Sequence, residues 1–247
     1  MAIVDGNLGA RVRWAFADRT EGVSAAPYDR GNLADHVGDD PAHVEANRAR
    51  LASTLGLALA DVVAMAPVHG DGVGVVERGT STPVPDVDAL VTATPGIALL
   101  TLAADCVPVV LGDDGAGVVA VLHSGWKGVV VDVVGATLDA MEALGARAER
   151  TRAVAGPSIC GACYAVPQQR FDEVVAAAPA AAARARDGQP GLDLRAAVVA
   201  RLAHAGVDVT THGGCTAESA ALFSYRRDHV TGRHGGIVTL LPAGASS

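Results

Sequence analysis

The chain has few aromatic residues and little basic character, and both shortages restrict its function. Phenylalanine, tryptophan and tyrosine make up 3% of its 247 residues, so the core must be built from alanine, valine and leucine. The 19 lysine and arginine residues are outnumbered by 27 aspartate and glutamate residues, and they form no basic run or stripe. A nucleic-acid-binding protein usually carries such a stripe together with aromatic stacking positions. The composition therefore argues against a nucleic-acid partner.

The chain also lacks the segments that direct proteins out of the cell or into membranes. Residues 1–14 carry Asp5 early and contain no continuous apolar core of the kind found in a secretory signal. No apolar run reaches the roughly 20 residues that cross a bilayer. We therefore expect a cytoplasmic protein without a membrane partner. Its four cysteines should be reduced thiols, for which metal binding or catalysis is a better use than a disulfide.

Nucleotide-binding signatures and a domain linker are absent as well. No G-x-G-x-x-G or P-loop follows a predicted strand, and no Pro/Ser-rich linker divides the chain. Half of the residues are apolar, so residues 1–247 can form one large domain with a substantial core. Strand-like and helix-like segments alternate, with glycine and proline between them, which predicts an α/β fold.

The hydrophobic periodicity places the elements along the chain. Pro41 suits the first turn of a helix that ends at Gly56, and Pro179 is expected to break a later one. The predicted strands cover residues 10–16, 62–66, 73–77, 97–102, 107–111, 118–122, 151–155, 207–212 and 236–241. The predicted helices cover residues 41–56, 129–144, 167–186 and 193–205.

Three residues in unusual contexts are the best candidates for chemistry. His69 lies in Pro-Val-His-Gly, Cys106 in Ala-Ala-Asp-Cys-Val-Pro, and His123 in His-Ser-Gly-Trp-Lys-Gly. Two imidazoles and one thiolate suit Zn²⁺, and three protein ligands leave a fourth position for water or substrate, as in catalytic zinc sites. If the three side chains meet in space, the chain is a metalloenzyme. If they do not, they are ordinary buried residues.

The segment between Cys106 and His123 predicts that these two residues face each other. Asp114-Gly115 separates two short apolar runs and is typical of a two-residue type I′ hairpin turn. With that turn, residue i faces residue 229 − i, so Cys106 falls opposite His123. Directly opposed Cβ atoms lie roughly 4.5–5.5 Å apart, so one metal ion can bind both side chains. Asp105 could orient one of these ligands by a hydrogen bond.

The same residues fit a second chemistry. A thiolate opposite an imidazole, with Asp105 nearby, matches the nucleophile, base and orienting group of a cysteine hydrolase. His69 separates the two interpretations, because a catalytic zinc site needs a third ligand and the hydrolase does not.

The remaining cysteines give a weaker signal. Cys160-Gly-Ala-Cys163 resembles a redox dithiol or half of a zinc knuckle. No second C-x-x-C completes a four-cysteine site, and Cys215 is isolated. We interpret the motif as a glycine-rich turn lined by small thiols.

Polar and basic side chains supply candidates for substrate binding. Residues 215–233 include three arginines beside Tyr225, and arginine forks bind phosphate and carboxylate well, although such a group is also typical of a solvated segment. The sequence does not say which cation would hold a phosphate. The predicted substrate-binding residues are Asn32, Arg48, Lys127, Arg226 and Arg227.

These motifs together resemble one family. The chain is similar to the YfiH-like family, whose members are also labelled laccase-domain, multicopper polyphenol oxidase or purine nucleoside phosphorylase proteins, over nearly its full length. The ADC-x-P and H-x-GW-[KR]-G patterns are together highly specific. The matching segments are residues 19–48, PVHG (67–70), ADCVPVVL (104–111), HSGWKG (123–128), AGPSICGACYAV (155–166) and CTAESAALFSYRRDHVTGR (215–233).

The resemblance implies both a fold and an activity. The implied fold is a layered α/β sandwich of mixed sheets flanked by helices, with zinc bound by His69, Cys106 and His123 at the catalytic centre. The implied activity is phosphorolysis of adenosine, inosine and S-methyl-5′-thioadenosine, with adenosine deaminase activity at the same site. Its partners would be a purine nucleoside and phosphate. The chain departs from the family pattern at Pro67, usually glutamine, and at Ala165, usually glutamate.

Other functions compete with this interpretation. Copper also suits cysteine and histidine ligands, which leaves a polyphenol oxidase open, although the eight histidines are scattered without a His-x-His pair. A Cys-His hydrolase or a peptidoglycan-precursor editing factor, a role suggested for some bacterial relatives, is another alternative. The open three-ligand site argues against a binding module without activity. The oligomeric state is not predicted.

Overall fold

The structure, a computed structural model, describes residues 3–80 and 82–243. The strands within these ranges are β1 (Ile3–Asn7), β2 (Val12–Ala17), β3 (Val62–Ala66), β4 (Val73–Val75), β5 (Val84–Pro85), β6 (Ala89–Thr92), β7 (Ala98–Ala103), β8 (Val107–Asp113), β9 (Val118–Ser124), β10 (Arg152–Ala155), β11 (Ala182–Arg184), β12 (Pro190–Leu192), β13 (Asp208–Thr211) and β14 (His234–Leu240). The α-helices are α1 (Pro41–Thr54), α2 (Trp126–Val131), α3 (Val133–Ala143), α4 (Gln168–Ala177), α5 (Leu194–His204) and α6 (Tyr225–Asp228).

Most of the strands form two mixed sheets. The first has the order β1-β2-β14-β7-β3-β5, and the second has the order β13-β10-β8-β9-β6-β4. Strand β14 pairs with β2 and β7, so a strand from late in the chain lies inside the first sheet. Strands β11 and β12 form a separate antiparallel pair.

The two sheets pack face to face, and helices cover their outer faces. Side chains alternate along β8: Val109 and Leu111 pack with helix residues, whereas Val110 packs between the sheets against the cluster that contains Leu99. Helix α1 covers the first sheet through Leu51. The centre of each sheet therefore buries both faces, which explains why strands β7, β8 and β9 are almost continuous apolar runs. The predicted layered sandwich of mixed sheets and helices is confirmed.

Two of the predicted helices are interrupted. The helix predicted over 129–144 is the pair α2 and α3, joined at Asp132, whose φ of 64° is left-handed and whose carboxylate caps Gly135 N of α3. The helix predicted over 167–186 ends at Ala177. Pro179 breaks it as expected, but residues 182–184 then form β11 instead of more helix. Strands β1, β5, β6 and β12 were not predicted.

The hairpin between β8 and β9 has a longer turn than predicted. Asp113 pairs with Val118, so four residues form the loop and residue i faces residue 231 − i. Gly117 closes the loop with a left-handed φ of 68°, and its N–H donates to Asp113 O at 2.9 Å. The predicted two-residue type I′ turn at Asp114-Gly115 is therefore wrong, since neither residue has a positive φ.

The longer turn changes the partner of His123 but not the face on which it lies. Pro108 is opposite His123, and the predicted direct pairing with Cys106 is wrong. Because the register differs from the prediction by two residues, the alternation of faces is preserved. Cys106 and His123 therefore remain on the side of the second sheet that faces the first.

Within residues 3–80 and 82–243, no helix combines the length and the apolar character that a membrane span requires.

Candidate metal centre and pocket

The three predicted ligands meet at one end of the interface between the sheets. One ligand atom from each of His69, Cys106 and His123 lies within 4.8 Å of the other two. The Cys106 Sγ is 3.8 Å from His69 Nε2, and the two imidazole rings meet edge to face with centroids 4.9 Å apart. Tetrahedral Zn–S and Zn–N bonds of about 2.3 and 2.0 Å place such atoms about 3.5 Å apart, close to the observed spacing.

His123 lies near the end of β9 and is oriented by a buried carboxylate. Its Nδ1 is 2.9 Å from Asp88 Oδ1, and both side chains are buried. With Asp88 as the acceptor, Nδ1 carries the proton and Nε2 is left to bind a metal ion.

Asp88 also fixes the loop that carries His69. Its two carboxylate oxygens accept the backbone N–H groups of Val68, His69 and Gly70 at 3.1, 3.0 and 2.7 Å. His69 has a left-handed φ of 64°, a strained conformation for a residue with a side chain, and these hydrogen bonds hold it. One carboxylate thus positions two ligands. Asp88 was not among the predicted site residues, although an aspartate directly before the apolar run 89–92 was a usable signal.

Cys106 approaches the histidines across a glycine. In the continued register the residue opposite Cys106 is Gly125. A Cβ added at Gly125 would lie 2.8 Å from His69 Cδ2 and 3.1 Å from Cys106 Sγ, so any side chain there would displace the ligands. This explains the glycine of the His-Ser-Gly-Trp motif.

The thiol and the imidazole change each other's charge. Burial raises the pKa of Cys106, but His123 and His69 outweigh that effect and lower it to about 6. Burial likewise lowers the pKa of His123, and the Cys106 thiolate and Asp88 outweigh it to raise the pKa to about 9. Without a metal ion the pair is therefore a thiolate beside an imidazolium, and the thiolate is the form that binds a metal.

Asp105 serves a different purpose from the one predicted. Its φ of 102° is left-handed, and its oxygens accept hydrogen bonds of 2.6 Å from Thr216 Oγ1 and from Arg226 N. It therefore attaches the segment that follows Cys215 to the residue before Cys106, and it does not orient a histidine.

A cavity of about 760 Å³ opens above the three ligands. Arg226 stacks 4.9 Å above the Tyr164 ring, and Arg170 stacks 4.7 Å above the Trp126 ring. Arg233 also lines the cavity. Cations and aromatic faces together suit a ligand that carries an anionic group and a flat ring. Arg170 was missed because its helix gives no sequence signal for a pocket.

The predicted substrate-binding residues are divided between this cavity and other places. Arg226 lines it, and its Nη1 donates to Ala165 O at 3.1 Å. Arg227 instead donates to the carbonyls of Thr216, Ser219 and Leu222 at 2.8–2.9 Å. Its guanidinium is therefore occupied by the protein itself.

Asn32, Arg48 and Lys127 do not line the cavity. Asn32 is fully buried, and its Oδ1 accepts the backbone N–H of Arg233 at 2.9 Å, so it supports a residue of the cavity wall. Arg48 donates to Leu33 O at 2.7 Å beside a different cavity. Lys127 is exposed, 5.8 Å from the Trp126 ring.

The two departures from the family pattern both touch this region. Pro67 lines the cavity wall beside the His69 loop. At Ala165 the backbone rather than the side chain meets the site, because the carbonyl accepts Arg226.

Cys160 and Cys163 do not have the character of a redox dithiol. Burial, followed by Glu218, raises the pKa of Cys163 to about 12, whereas a reactive thiol needs a lowered pKa. Nor is Cys215 isolated as predicted, since its Sγ accepts the backbone N–H of Cys160 at 3.3 Å.

The fold and the site define an α/β sandwich with an open candidate metal centre. The chain belongs to the multi-copper polyphenol oxidoreductase laccase family, whose model matches residues 13–241. A Streptomyces griseus protein named purine nucleoside phosphorylase is 50% identical over 230 residues, which cover 92% of this chain and 94% of that protein.

Solved structures agree with this membership. A Neisseria meningitidis protein superposes with a TM-score of 0.86 at 30% identity, over 98% of this chain and 100% of that one. The Bacillus licheniformis hypothetical protein YfiH superposes with a TM-score of 0.84 at 29% identity, over 93% of this chain and 92% of that one. The resemblance found in the sequence is therefore confirmed.

Proposed function

We propose that this chain is a zinc-dependent purine nucleoside phosphorylase of the cytoplasm that acts on adenosine, inosine and S-methyl-5′-thioadenosine. We also propose adenosine deaminase activity at the same site. The observation that carries the proposal is the three-ligand centre at the floor of a cavity whose walls combine arginines with aromatic rings. The similarity to proteins named purine nucleoside phosphorylase supports it.

The donor set fits zinc. Two imidazoles and one thiolate are borderline-to-soft ligands, Asp88 orients His123, and Gly125 leaves the space between the ligand atoms open. When bound, the ion would supply Lewis-acid polarisation at the cavity floor.

The chain's own residues account for the rest of the phosphorolysis. The C1′–N9 bond of the nucleoside breaks, a phosphate oxygen forms the new bond to C1′, and the purine leaves with the bonding electrons and is protonated. In this proposal Arg226, Arg170 and Arg233, which line the cavity, hold the phosphate, and the rings of Tyr164 and Trp126 stack on the purine.

The other predicted substrate-binding residues act indirectly in this proposal. Asn32 holds the backbone of Arg233, and Arg227 holds the carbonyls of the segment before Arg226. Lys127 lies beside Trp126 near the cavity rim, where its long side chain can meet the phosphate. Arg48 supports the loop that contains Leu33.

The test is an assay of free base released from adenosine, with and without phosphate, beside metal analysis of the purified protein. We expect base release that requires phosphate, and a loss of at least about 1,000-fold in Cys106→Ala, which removes a metal ligand. Full phosphorolysis with retained zinc in Cys106→Ala would overturn the assignment. Glu173 is exposed and does not line the cavity, so Glu173→Gln should leave base release unchanged and serves as the control.

Copper is a second candidate because the family model describes a polyphenol oxidoreductase and a His₂Cys set also suits copper. Copper-loaded protein with a blue absorbance and phenol oxidation would favour it. Hydrolysis of a peptidoglycan precursor that persists in the presence of a chelator would instead favour the Cys106–His123 hydrolase.

A further inference from the structure

A second group of metal-ligating side chains lies outside the cavity. Ligand atoms of Cys160, Cys163, Cys215 and Glu218 all lie within 4.8 Å of one another. Glu218 Oε1 is 3.3 Å from Cys163 Sγ and 3.8 Å from Cys160 Sγ. All three cysteines are free thiols. We call these four residues the cysteine cluster.

The cluster is built from two turns of the same spacing. Cys160 and Cys163 are separated by two residues, and so are Cys215 and Glu218. In the first turn Cys163 N donates to Cys160 O at 3.0 Å, and in the second Glu218 N donates to Cys215 O at 3.2 Å. Two ligand pairs, each from a tight turn with two intervening residues, are the usual architecture of a structural zinc site.

The backbone fixes the two turns against each other before any ligand binds. Ser158 and Cys215 form a parallel bridge, and Thr216 N donates to Ser158 O at 3.1 Å. The Cys160 N–H points at Cys215 Sγ, 3.3 Å away, and so ties the first turn to the second. Gly161 is required in the first turn because a Cβ there would lie 2.5 Å from Ala183 Cβ.

We propose that the cysteine cluster binds one structural Zn²⁺ ion through three thiolates and the Glu218 carboxylate. Tetrahedral bonds of about 2.3 Å to sulfur and about 2.0 Å to oxygen separate ligand atoms by about 3.5–3.8 Å. The distances of 3.3 and 3.8 Å from Glu218 Oε1 to two of the sulfurs are close to this range. Binding releases up to three thiol protons to solvent and needs no oxidant. All four positions come from the protein, so this site is closed, unlike the centre at Cys106.

The surrounding charge supports this assignment. Three thiolates and a carboxylate around one divalent ion leave a net negative charge. Arg186 forms an ion pair with Glu218 Oε1 and donates its backbone N–H to Ala162 O at 3.0 Å, so it neutralises part of that charge and holds the first turn. A disulfide between two of the cysteines would leave the third thiol and Glu218 without a role.

The bound ion would hold the cavity wall. Residues beside the first turn, Ile159 and Tyr164, and residues after the second, Tyr225 and Arg226, all line the cavity. Zinc at the cluster therefore joins the two chain segments on which that wall depends.

The test measures zinc in a variant whose open centre has lost two of its ligands. The double variant His69→Ala/Cys106→Ala removes two ligands of that centre, and we expect it to retain about one zinc per chain after dialysis at neutral pH with a reductant. Adding Cys163→Ser should lower the content below about 0.1 per chain. Loaded with Co²⁺, the double variant should display thiolate-to-metal charge transfer from three thiolates. Absence of both zinc and this absorbance in the folded double variant would overturn the proposal.

Two further measurements guard against a variant that fails to fold. Glu218→Gln should weaken zinc binding at the cluster at least about tenfold, whereas the exposed Glu173→Gln should leave it unchanged. In the unmutated chain, a chelator should make four additional thiols reactive toward a thiol reagent, the three of the cluster and Cys106 of the open centre. Three thiols that react equally fast before and after chelation would contradict the proposal. None of these readouts depends on phosphorolysis, so the proposed activity and the proposed zinc site can fail separately.

Discussion

The open centre at Cys106 and the cysteine cluster both use thiols, yet their surroundings differ. At the open centre, three ligands lie at the edge of two packed sheets below a cavity, and Asp88 fixes two of them from behind. At the cluster, four candidate ligands come from two turns, and a complete set of four would leave no position for a substrate. Ligand number and access, rather than residue type, therefore separate a site for chemistry from a site for structure.

The largest expected difference comes from Asp88. In Asp88→Asn an amide N–H₂ would face backbone donors or the His123 ring, so His69 and His123 lose their orientation. We expect zinc affinity at the open centre to fall about 100-fold, with the cluster unaffected, as measured by chelator competition.

Asp113→Asn is the matched control for this change. Asp113 is an equally buried carboxylate that accepts Ala116 N and Arg147 N at the far end of the β8–β9 hairpin. It should lower stability without changing metal affinity. Equal affinity losses in both variants would mean that Asp88 acts only through the fold.

Gly125→Ala should weaken metal binding at the open centre by about 30-fold, or about 2 kcal/mol, because its Cβ would press on His69 and Cys106. Gly214 lies beside Cys215 with nothing within 4 Å of an added Cβ, so Gly214→Ala should leave the cluster's metal in place. Titration of both variants with zinc tests the expected loss of binding in Gly125→Ala and the expected unchanged binding in Gly214→Ala. Unchanged zinc binding in Gly125→Ala would show that the His69 loop moves to accommodate the added methyl group.

Arg226 and Arg227 are neighbours with opposite expected effects. Arg226→Gln should raise the phosphate KM about tenfold, since it removes a cation from the cavity wall. Arg227→Gln should instead lower the melting temperature, because three backbone carbonyls lose their donor. Steady-state kinetics and thermal unfolding distinguish the two. The reversed pattern would place the phosphate at Arg227.

Lowering the pH should reduce the stability of the fold because His234, beside the cavity wall, is buried. Burial lowers its pKa from 6.5 to about 4, so between these values the unfolded chain binds a proton that the folded chain does not. Stability is therefore lost as the pH falls through 6.5 and the loss is complete near pH 4; by pH 5.5 it is about 1.4 kcal/mol. Urea unfolding at pH 7.5 and 5.5 measures it.

His234→Gln should remove much of this pH dependence, and the exposed His204→Gln should not. If both variants lose as much stability between pH 7.5 and 5.5 as the unmutated chain does, another group is responsible.

The sequence was sufficient for the sheets around the open centre and for the three residues that meet there. Short apolar runs predicted β8 and β9, and their alternation placed Cys106 and His123 on one face despite a register error of two residues. That error arose because Asp114-Gly115 has the composition of a two-residue turn, while Gly117 supplies the left-handed residue of a four-residue loop. Local composition does not distinguish these turns.

The cluster and the cavity wall could not be predicted in the same way. Glu218 is 55 residues from Cys163, and the parallel bridge at Ser158 helps to bring their turns together. Arg170 and Arg226 likewise line one cavity because their segments pack together, not because of their spacing in the sequence. Residues of this kind are brought together by the packing of helices and strands, which a local sequence pattern does not indicate.

The place of β14 in the first sheet determines the order in which the molecule can assemble. β2 ends at Ala17 and β7 begins at Ala98, yet the strand that joins them begins at His234. Until β14 inserts, β2 and β7 each present an unpaired edge. Contacts between residues so distant in sequence form slowly. Slower translation does not shorten the time for which these edges are unpaired, because β14 is the last of the described strands to be synthesised. The newly made chain therefore depends on rapid closure of this gap to avoid pairing with another copy.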